Sequence, residues 1–311
     1  MKNLVHHPVL LHEAIELLVT KKDGTYLDCT VGLGGHSLGI LDAISTAGTL
    51  IGIDRDKEAL DFARQRFQNY PNHRLFHLNF SRIDRLKQLA GIDKFSGILF
   101  DLGMGTWQIE INRRGFSYLS DGPLDMRMDA SQELTASEVV NSYSREELER
   151  IFKEYGEEKL SRKIAKNIKN SPSAIQTTAQ LRDAVEKSVP SRHKIKSLSR
   201  IFQAIRMEVN HEIDELKAGL NLALQAVEPN GRVGVIAYHS LEDRLVKETF
   251  RELSRKCTCP PEALVCTCGG KAKWRAITKK PLRPGPAEIL SNPSARSAKF
   301  RVIEKLPSDE A

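Results

Sequence analysis

Long apolar runs are missing from this chain. The longest, GILF and VGVIAY, are strand-sized, far short of the roughly 20 residues a membrane-spanning helix needs. A helical membrane span is therefore excluded. The N-terminal stretch MKNLVHHPVLLHEAIELLV holds a short apolar segment, but histidines and a glutamate interrupt it and no small-residue cleavage site follows. The expectation is a cytoplasmic protein without a membrane partner. Cysteine is scarce as well, with five in 311 residues. Cys29 stands alone, and Cys257, Cys259, Cys266 and Cys268 crowd into CTCPPEALVCTCGG, which excludes a scattered disulfide framework. Those two C-x-C pairs could surround zinc with four thiolates or close a structural hairpin. The spacing is tighter than the usual C-x-x-C knuckle, and no metal is assigned to the chemistry.

A third absence concerns glycine. The stretch DCTVGLGGHS, Asp28 to Ser37, is a glycine-rich turn, yet Gly32, Gly34 and Gly35 are followed by His36 and not by the x-x-G of a pyrophosphate loop. A dinucleotide is disfavoured, and with it a nicotinamide oxidoreductase.

What is present begins with alternating strand and helix signals over the first hundred residues. TYLDCTVG runs as a strand into the glycine turn; HSLGILDAI is a helix with Leu38, Leu41 and Ile44 on one face. TLIGIDRD is a second strand and KEALDFARQRF a helix burying Leu60, Ala63 and Phe67. RLFHLNF is a third strand, SRIDRLKQL a helix capped by Ser81, and FSGILFDLG a fourth strand. Repeated β-α-β units imply a parallel sheet with helices on both faces.

The alternation stops after Asp101. In REELERIFKEYGEEKLSRKIAKNI, Leu148, Ile151, Phe152 and Tyr155, then Leu160, Ile164 and Ile168, fall at helical spacing, and TTAQLRDAVEKSV is a helix entered through a threonine cap and stopped by Pro190. The sheet pattern resumes with the helix HEIDELKAGLNLALQAV, the strand GRVGVIAYHS and the helix LEDRLVKETFRELSRK, and WRAITKK and AKFRVIEK form a closing strand pair. The expected fold is α/β, a doubly wound Rossmann-like sheet from residues 1–104 and 207–311, with an inserted all-helical domain over 105–206.

Charge is unevenly spread. The net charge is +7 and the isoelectric point about 9.1. Between Lys159 and Arg206 twelve lysines and arginines face only Asp183 and Glu186, and a second basic block follows Lys271. Two such blocks fit a polyanion such as RNA as well as they fit solvated helix faces. A noncatalytic RNA-binding assembly factor would account for this charge, but not for an acid at each strand end.

Those acids are Asp28, Asp54 and Asp101. Asp54 ends the second strand twenty residues after Gly34, where an ionised carboxylate suits a vicinal ribose diol. S-adenosylmethionine carries a sulfonium and no phosphate, so a short glycine loop flanked by carboxylates fits it better than a diphosphate. Phe80 stands where it could stack on adenine or fill the core.

The motifs HHPVLLHEAIELL, DCTVGLGGHS, GIDRD, RRGFSYLSDGPLDMRMD, RIFQAIRMEVNHEIDEL, YHSLEDRLVK and NPSARSAKFRV resemble the RsmH (MraW) family, ribosomal RNA small-subunit methyltransferases, from about His6 to Val302. The resemblance implies methyl transfer from S-adenosylmethionine to the exocyclic N4 of a cytidine in the decoding region of 16S rRNA. The partner it implies is 16S rRNA in the small ribosomal subunit, and it leaves a homodimer open. Carried over by position, the cofactor contacts are Gly34, Gly35, His36, Asp54, Phe80, Asp101 and Gln108. At DLGMGTWQIE the chain departs from the family's DLGVSS: Gly105, Thr106 and Trp107 replace the serine-containing step.

Methylating a cytosine amine requires its poor nucleophile to be oriented and relieved of a proton. Asp101 is placed for this, or to hold the methionine amino group. His239 in YHSLED is the second catalytic candidate, with Tyr238, Glu242 and Asp243 beside it; capping a helix is its alternative role. Asp125, Arg127 and Asp129 suit ordering of the insertion against the sheet, with contact to RNA as the alternative, and Trp107 suits stacking on a base or packing under the insertion.

Overall fold

The computed structural model describes residues 8–105, 114–256, 259, 270 and 272–307. Among these residues seven strands form one sheet in the order β3-β2-β1-β4-β5-β7-β6: β1 Thr25–Asp28, β2 Thr49–Asp54, β3 His73–His77, β4 Phe95–Asp101, β5 Val227–Ala237, β6 Trp274–Ala276 and β7 Lys299–Lys305. The first five are parallel, while β7 runs antiparallel to β5 and β6 to β7. The chain winds outward from β1 through β2 to β3, then returns beside β1 as β4 and continues to β5. The order therefore reverses between β1 and β4, where the crevice beyond the strand ends of a doubly wound sheet lies.

Alternation along the strands builds a core on each face. Leu27, Ile51, Ile53, Ile98, Phe100, Val233 and Val235 pack with Leu216, Leu220 and Ala223 of the helix Glu212–Ala226. Their neighbours Tyr26, Leu50, Leu99, Ile236, Phe300 and Val302 pack on the other face with the helices Leu11–Leu18, Gly35–Ala43 and Lys57–Arg66. Leu60, Ala63 and Phe67 are fully buried as expected. The expected cap at Ser81 is displaced: Phe80–Arg85 is a 3-10 helix capped by Asn79, whose side chain accepts the Ser81 N–H, before an α-helix at Leu86–Ala90. Both residue types can cap, and the one further upstream reaches the orphan N–H first. The α/β class, with its doubly wound Rossmann-like sheet and a helical insertion, is as expected.

The chain divides into two compact units, one holding residues 104–214 and the other 5–103 with 215–311. In the helical unit, Leu148, Ile151, Phe152, Ile164, Ile168, Leu181, Val185, Ile201 and Phe202 share a core. Arg145–Glu154 and Ser161–Lys169 are separate helices, broken where Glu157 takes a φ of 48°. Capping boxes start the helices Ala136–Ser142, Arg145–Glu154 and Thr178–Glu186 at Thr135, Ser144 and Thr177. The basic helix Lys194–Val209 continues past Arg206 and buries Val209 in the same core. Asp125 and Arg127 pair through two hydrogen bonds, Nε to Oδ1 at 2.9 Å and Nη2 to Oδ2 at 2.8 Å, and Arg127 also donates to the carbonyls of Ala130 and Gln132. They order a loop inside this unit. Among the described residues no helix is long and apolar enough to cross a membrane.

Candidate active site

The loop after β1 is tied down by its own residues. Asp28 is fully buried, and its carboxylate accepts hydrogen bonds from Ser37 Oγ at 2.6 Å and the Thr30 N–H at 3.0 Å. Burial raises its pKa, against the pull of Ser37. Asp28 is therefore a clasp within the loop and not a ligand of the crevice. Gly34 caps the helix Gly35–Ala43 at a φ of 83°. A Cβ there would lie 2.6 Å from the Phe67 ring, so the turn accepts glycine alone.

Asp54, half-buried at the end of β2, accepts the Gly32 N–H at 2.7 Å on Oδ2 and the Asp56 N–H at 2.8 Å on Oδ1. Each carboxylate oxygen thus keeps acceptor capacity beyond its one backbone bond. Burial raises the Asp54 pKa to about 6 while these two N–H groups hold it down.

Asp101 closes β4, beside the switch in strand order. Its backbone N–H donates to Thr30 Oγ1 at 2.7 Å, stitching the strand to the glycine loop. Tyr238 Oη donates to Asp101 Oδ1 at 2.8 Å, and His36 Nδ1 lies 3.4 Å from Asp101 Oδ2. Burial, with the Asp101 charge next to it, raises the Tyr238 pKa well above its ordinary value, so the phenol stays a donor. Two distant stretches of sequence, the glycine loop and the residue that follows β5, converge on one carboxylate, whose side chain retains 16% exposure.

His239 is the N-cap of the helix Ser240–Leu253. Its Nδ1 accepts the Glu242 N–H at 3.4 Å, while Glu242 Oε2 accepts the N–H groups of Tyr238 at 2.9 Å and His239 at 3.3 Å. The capping role is thus present, and its Nε2 lies 3.1 Å from Glu242 Oε1. Asp243 binds Lys299 Nζ at 2.8 Å and Arg301 Nε at 2.7 Å; against the upward pull of burial, these cations hold its carboxyl below the usual range. Phe80 is buried and meets Phe100 edge-on at 5.5 Å between centroids, so the core use of this ring is the one observed.

Gln108 and Trp107, like Thr106 and Cys257, Cys266 and Cys268, lie outside the described residues. Within the sheet unit the structure brings together His36, Asp101 and Tyr238, and it sets Asp54 beside the glycine loop. The parts of this cluster that sequence reasoning missed are Thr30, Ser37 and the Val9 carbonyl, which accepts from His36 Nε2 at 2.9 Å. Ser37 follows His36 in the loop and could have been suspected as a partner for Asp28. Nothing local marks the Val9 carbonyl.

A family model described as the MraW methylase family matches residues 3–306. A protein of Caldicellulosiruptor bescii named Ribosomal RNA small subunit methyltransferase H is 48% identical over 305 residues, covering 97% of this chain and 99% of that one. One of the same name from Halothermothrix orenii is 46% identical over 308 residues, with 97% and 99% covered. A third, from Fusobacterium nucleatum, is 42% identical over 307 residues, with 98% of each covered.

Proposed function

The chain belongs to the MraW methylase family, and on that premise we propose that it transfers a methyl group from S-adenosylmethionine to the exocyclic N4 of a cytidine in the decoding region of 16S rRNA, in the cytoplasm. The observation that carries this reading is the pair Asp54 and Asp101 at the carboxyl ends of β2 and β4, both held by neighbouring donors and neither fully buried.

The residues fit the donor. Asp54 has acceptor capacity for both hydroxyls of a ribose, and Gly34, Gly35 and the backbone of His36 form a turn without side chains at its glycines. Phe80 is assigned to the wall behind this site, and Gln108 completes the contacts in this reading. When bound, S-adenosylmethionine supplies an electrophilic methyl carbon. The rest is the work of this chain: Asp101, oriented by Tyr238, accepts a hydrogen bond from the cytidine amine and then its proton as the amine becomes a nucleophile. His239 acts in this reading through its cap, which fixes the backbone that carries Tyr238.

The helical unit is the RNA-binding part. Part of its basic block is paired with acids and part faces solvent. Lys194 pairs with Glu186 at 2.7 Å, Arg200 with Glu158 at 3.6 Å and Arg206 with Glu212 at 2.7 Å. Arg162, Lys163 and Lys166 instead stand exposed on one helix, opposite the buried Ile164, Ala165 and Ile168, while Lys169 at its end donates to the Asn141 carbonyl at 2.7 Å. Cations on such a face suit phosphates, and binding through them weakens with salt.

Labelled methyl transfer to small subunits lacking the modification, followed by nucleoside analysis, tests the proposal. N4-methylcytidine is the expected product. Binding to the subunits with no transfer would return the chain to the class of assembly factors.

A further inference from the structure

His36 sits in the glycine loop among the residues that the family resemblance places at the cofactor, yet its ring is spent elsewhere. The residue is buried, with 5% of its surface exposed. One ring nitrogen, Nε2, lies 2.9 Å from the Val9 carbonyl oxygen. A carbonyl oxygen only accepts, so Nε2 carries a proton. The other nitrogen, Nδ1, lies 3.4 Å from Asp101 Oδ2. If His36 were neutral, its Nδ1 lone pair would face a carboxylate lone pair inside the protein, and the two would repel. A proton must lie between them, either on His36 or on Asp101. The second oxygen of Asp101 already accepts from Tyr238 Oη at 2.8 Å, an arrangement that stabilises the carboxylate form and assigns the shared proton to the imidazole.

We propose that His36 is a positioning residue for Asp101: a buried imidazolium that, with the Tyr238 hydroxyl, fixes the Asp101 carboxylate ionised and in one orientation toward the amine of the substrate. The assignment rests on the methyltransferase reading, in which Asp101 receives the cytidine proton, and it moves the ring of His36 from the donor site to the reacting one. The charged and titratable groups around the pair agree with it. Burial opposes the imidazolium, and Asp101, then Asp28 on β1 and the Val9 carbonyl, overcome it to raise the His36 pKa; Glu242 and Glu288 add negative charge near Tyr238. The frame is stiff as well. The Leu10 N–H, next to the Val9 carbonyl, donates to Glu288 Oε1 at 2.7 Å, and the Asp101 N–H is held by Thr30.

Two measurements on the full chain decide the matter. In the first, protein labelled with 15N-histidine is observed by NMR at pH 7.5, with His36 identified by its loss in His36→Gln. Both ring nitrogens should report protonation in the wild type, and Asp101→Asn should convert the ring to the neutral form protonated at Nε2 only. A neutral His36 in the wild type, or an imidazolium that persists unchanged in Asp101→Asn, would overturn the pairing. In the second, His36→Gln should slow single-turnover methyl transfer roughly 10²-fold through misplacement of the acceptor, while its affinity for S-adenosylhomocysteine changes by less than about 3-fold. A loss of affinity matching the loss of rate would place the ring on the donor and refute the proposal. Wild-type protein that shows the imidazolium but transfers no methyl group would refute the proposed reaction and leave the positioning pair standing, so the two failures are told apart.

Discussion

The two ends of the parallel sheet use the same residue types for different purposes. At the amino ends of the strands, Arg232 Nε donates to Glu304 Oε2 at 2.9 Å, Arg275 Nη2 to Glu304 Oε1 at 2.6 Å, and Ser96 Oγ to Glu228 Oε1 at 2.7 Å, all around a cavity of about 480 Å³. At the carboxyl ends, Asp54 is held by two backbone N–H groups and Asp101 by a phenol and an imidazole. A carboxylate matched to guanidinium groups on neighbouring strands locks those strands and has little left for a ligand. One held by single donors keeps acceptor capacity and can serve chemistry. The cavity at the amino ends is thus structural in origin, and the site belongs to the other end, where the strand order reverses.

That contrast is best broken by substitutions that exchange its two columns of effect. The largest change in rate is expected for Asp101→Ala, which should slow methyl transfer per folded molecule by roughly 10³-fold as a proton acceptor is lost. A loss confined to donor affinity would instead make Asp101 the partner of the methionine amino group. Glu304→Ala should do the reverse. It leaves Arg232 without its carboxylate in a mostly buried position and should cost about 3 kcal/mol in urea denaturation, while the transfer rate per folded molecule stays at the wild-type value. A matching fall in rate would show that the amino ends take part in the reaction.

Gly34→Ala should have a smaller effect. The new methyl group meets Phe67 and the backbone stays in the left-handed region, a strain of about 1–2 kcal/mol that should appear as lost stability in urea denaturation. The smallest effect is a pH dependence set by Asp54. Its folded pKa of about 6 lies above the ordinary value, so its ionised form is disfavoured by folding: this contribution to stability declines as pH rises from the unfolded value to about 6 and is flat above. Ribose hydroxyls donate to the ionised form, so donor affinity should weaken a few-fold as pH falls below about 6. Asp54→Asn should remove that dependence, and titrations at pH 5.5 and 7.5 check it.

Much of the scaffold was legible because burial leaves a period in the chain. Apolar runs ending in Asp28, Asp54 and Asp101 marked β1, β2 and β4, and a threonine cap announced the helix Thr178–Glu186. Element ends were less legible: Asn79 and Ser81 are both good caps, and a 3-10 turn carries no 3.6-residue signature. The site was legible as positions and not as partners. That Asp28 turns inward to Ser37, that Phe80 faces Phe100, and that Asp101 meets Tyr238 across 137 positions of sequence are consequences of packing. No local pattern encodes them.

The most direct test of a donor site at the carboxyl ends is diffraction from crystals grown with S-adenosylhomocysteine. The ribose hydroxyls should lie within hydrogen-bond distance of both Asp54 oxygens, with the sulfur on the Asp101 side of the glycine loop. A ligand seated in the cavity among Ser96, Glu228 and Arg232, or one that leaves Asp54 without a contact, would contradict the assignment of the two ends.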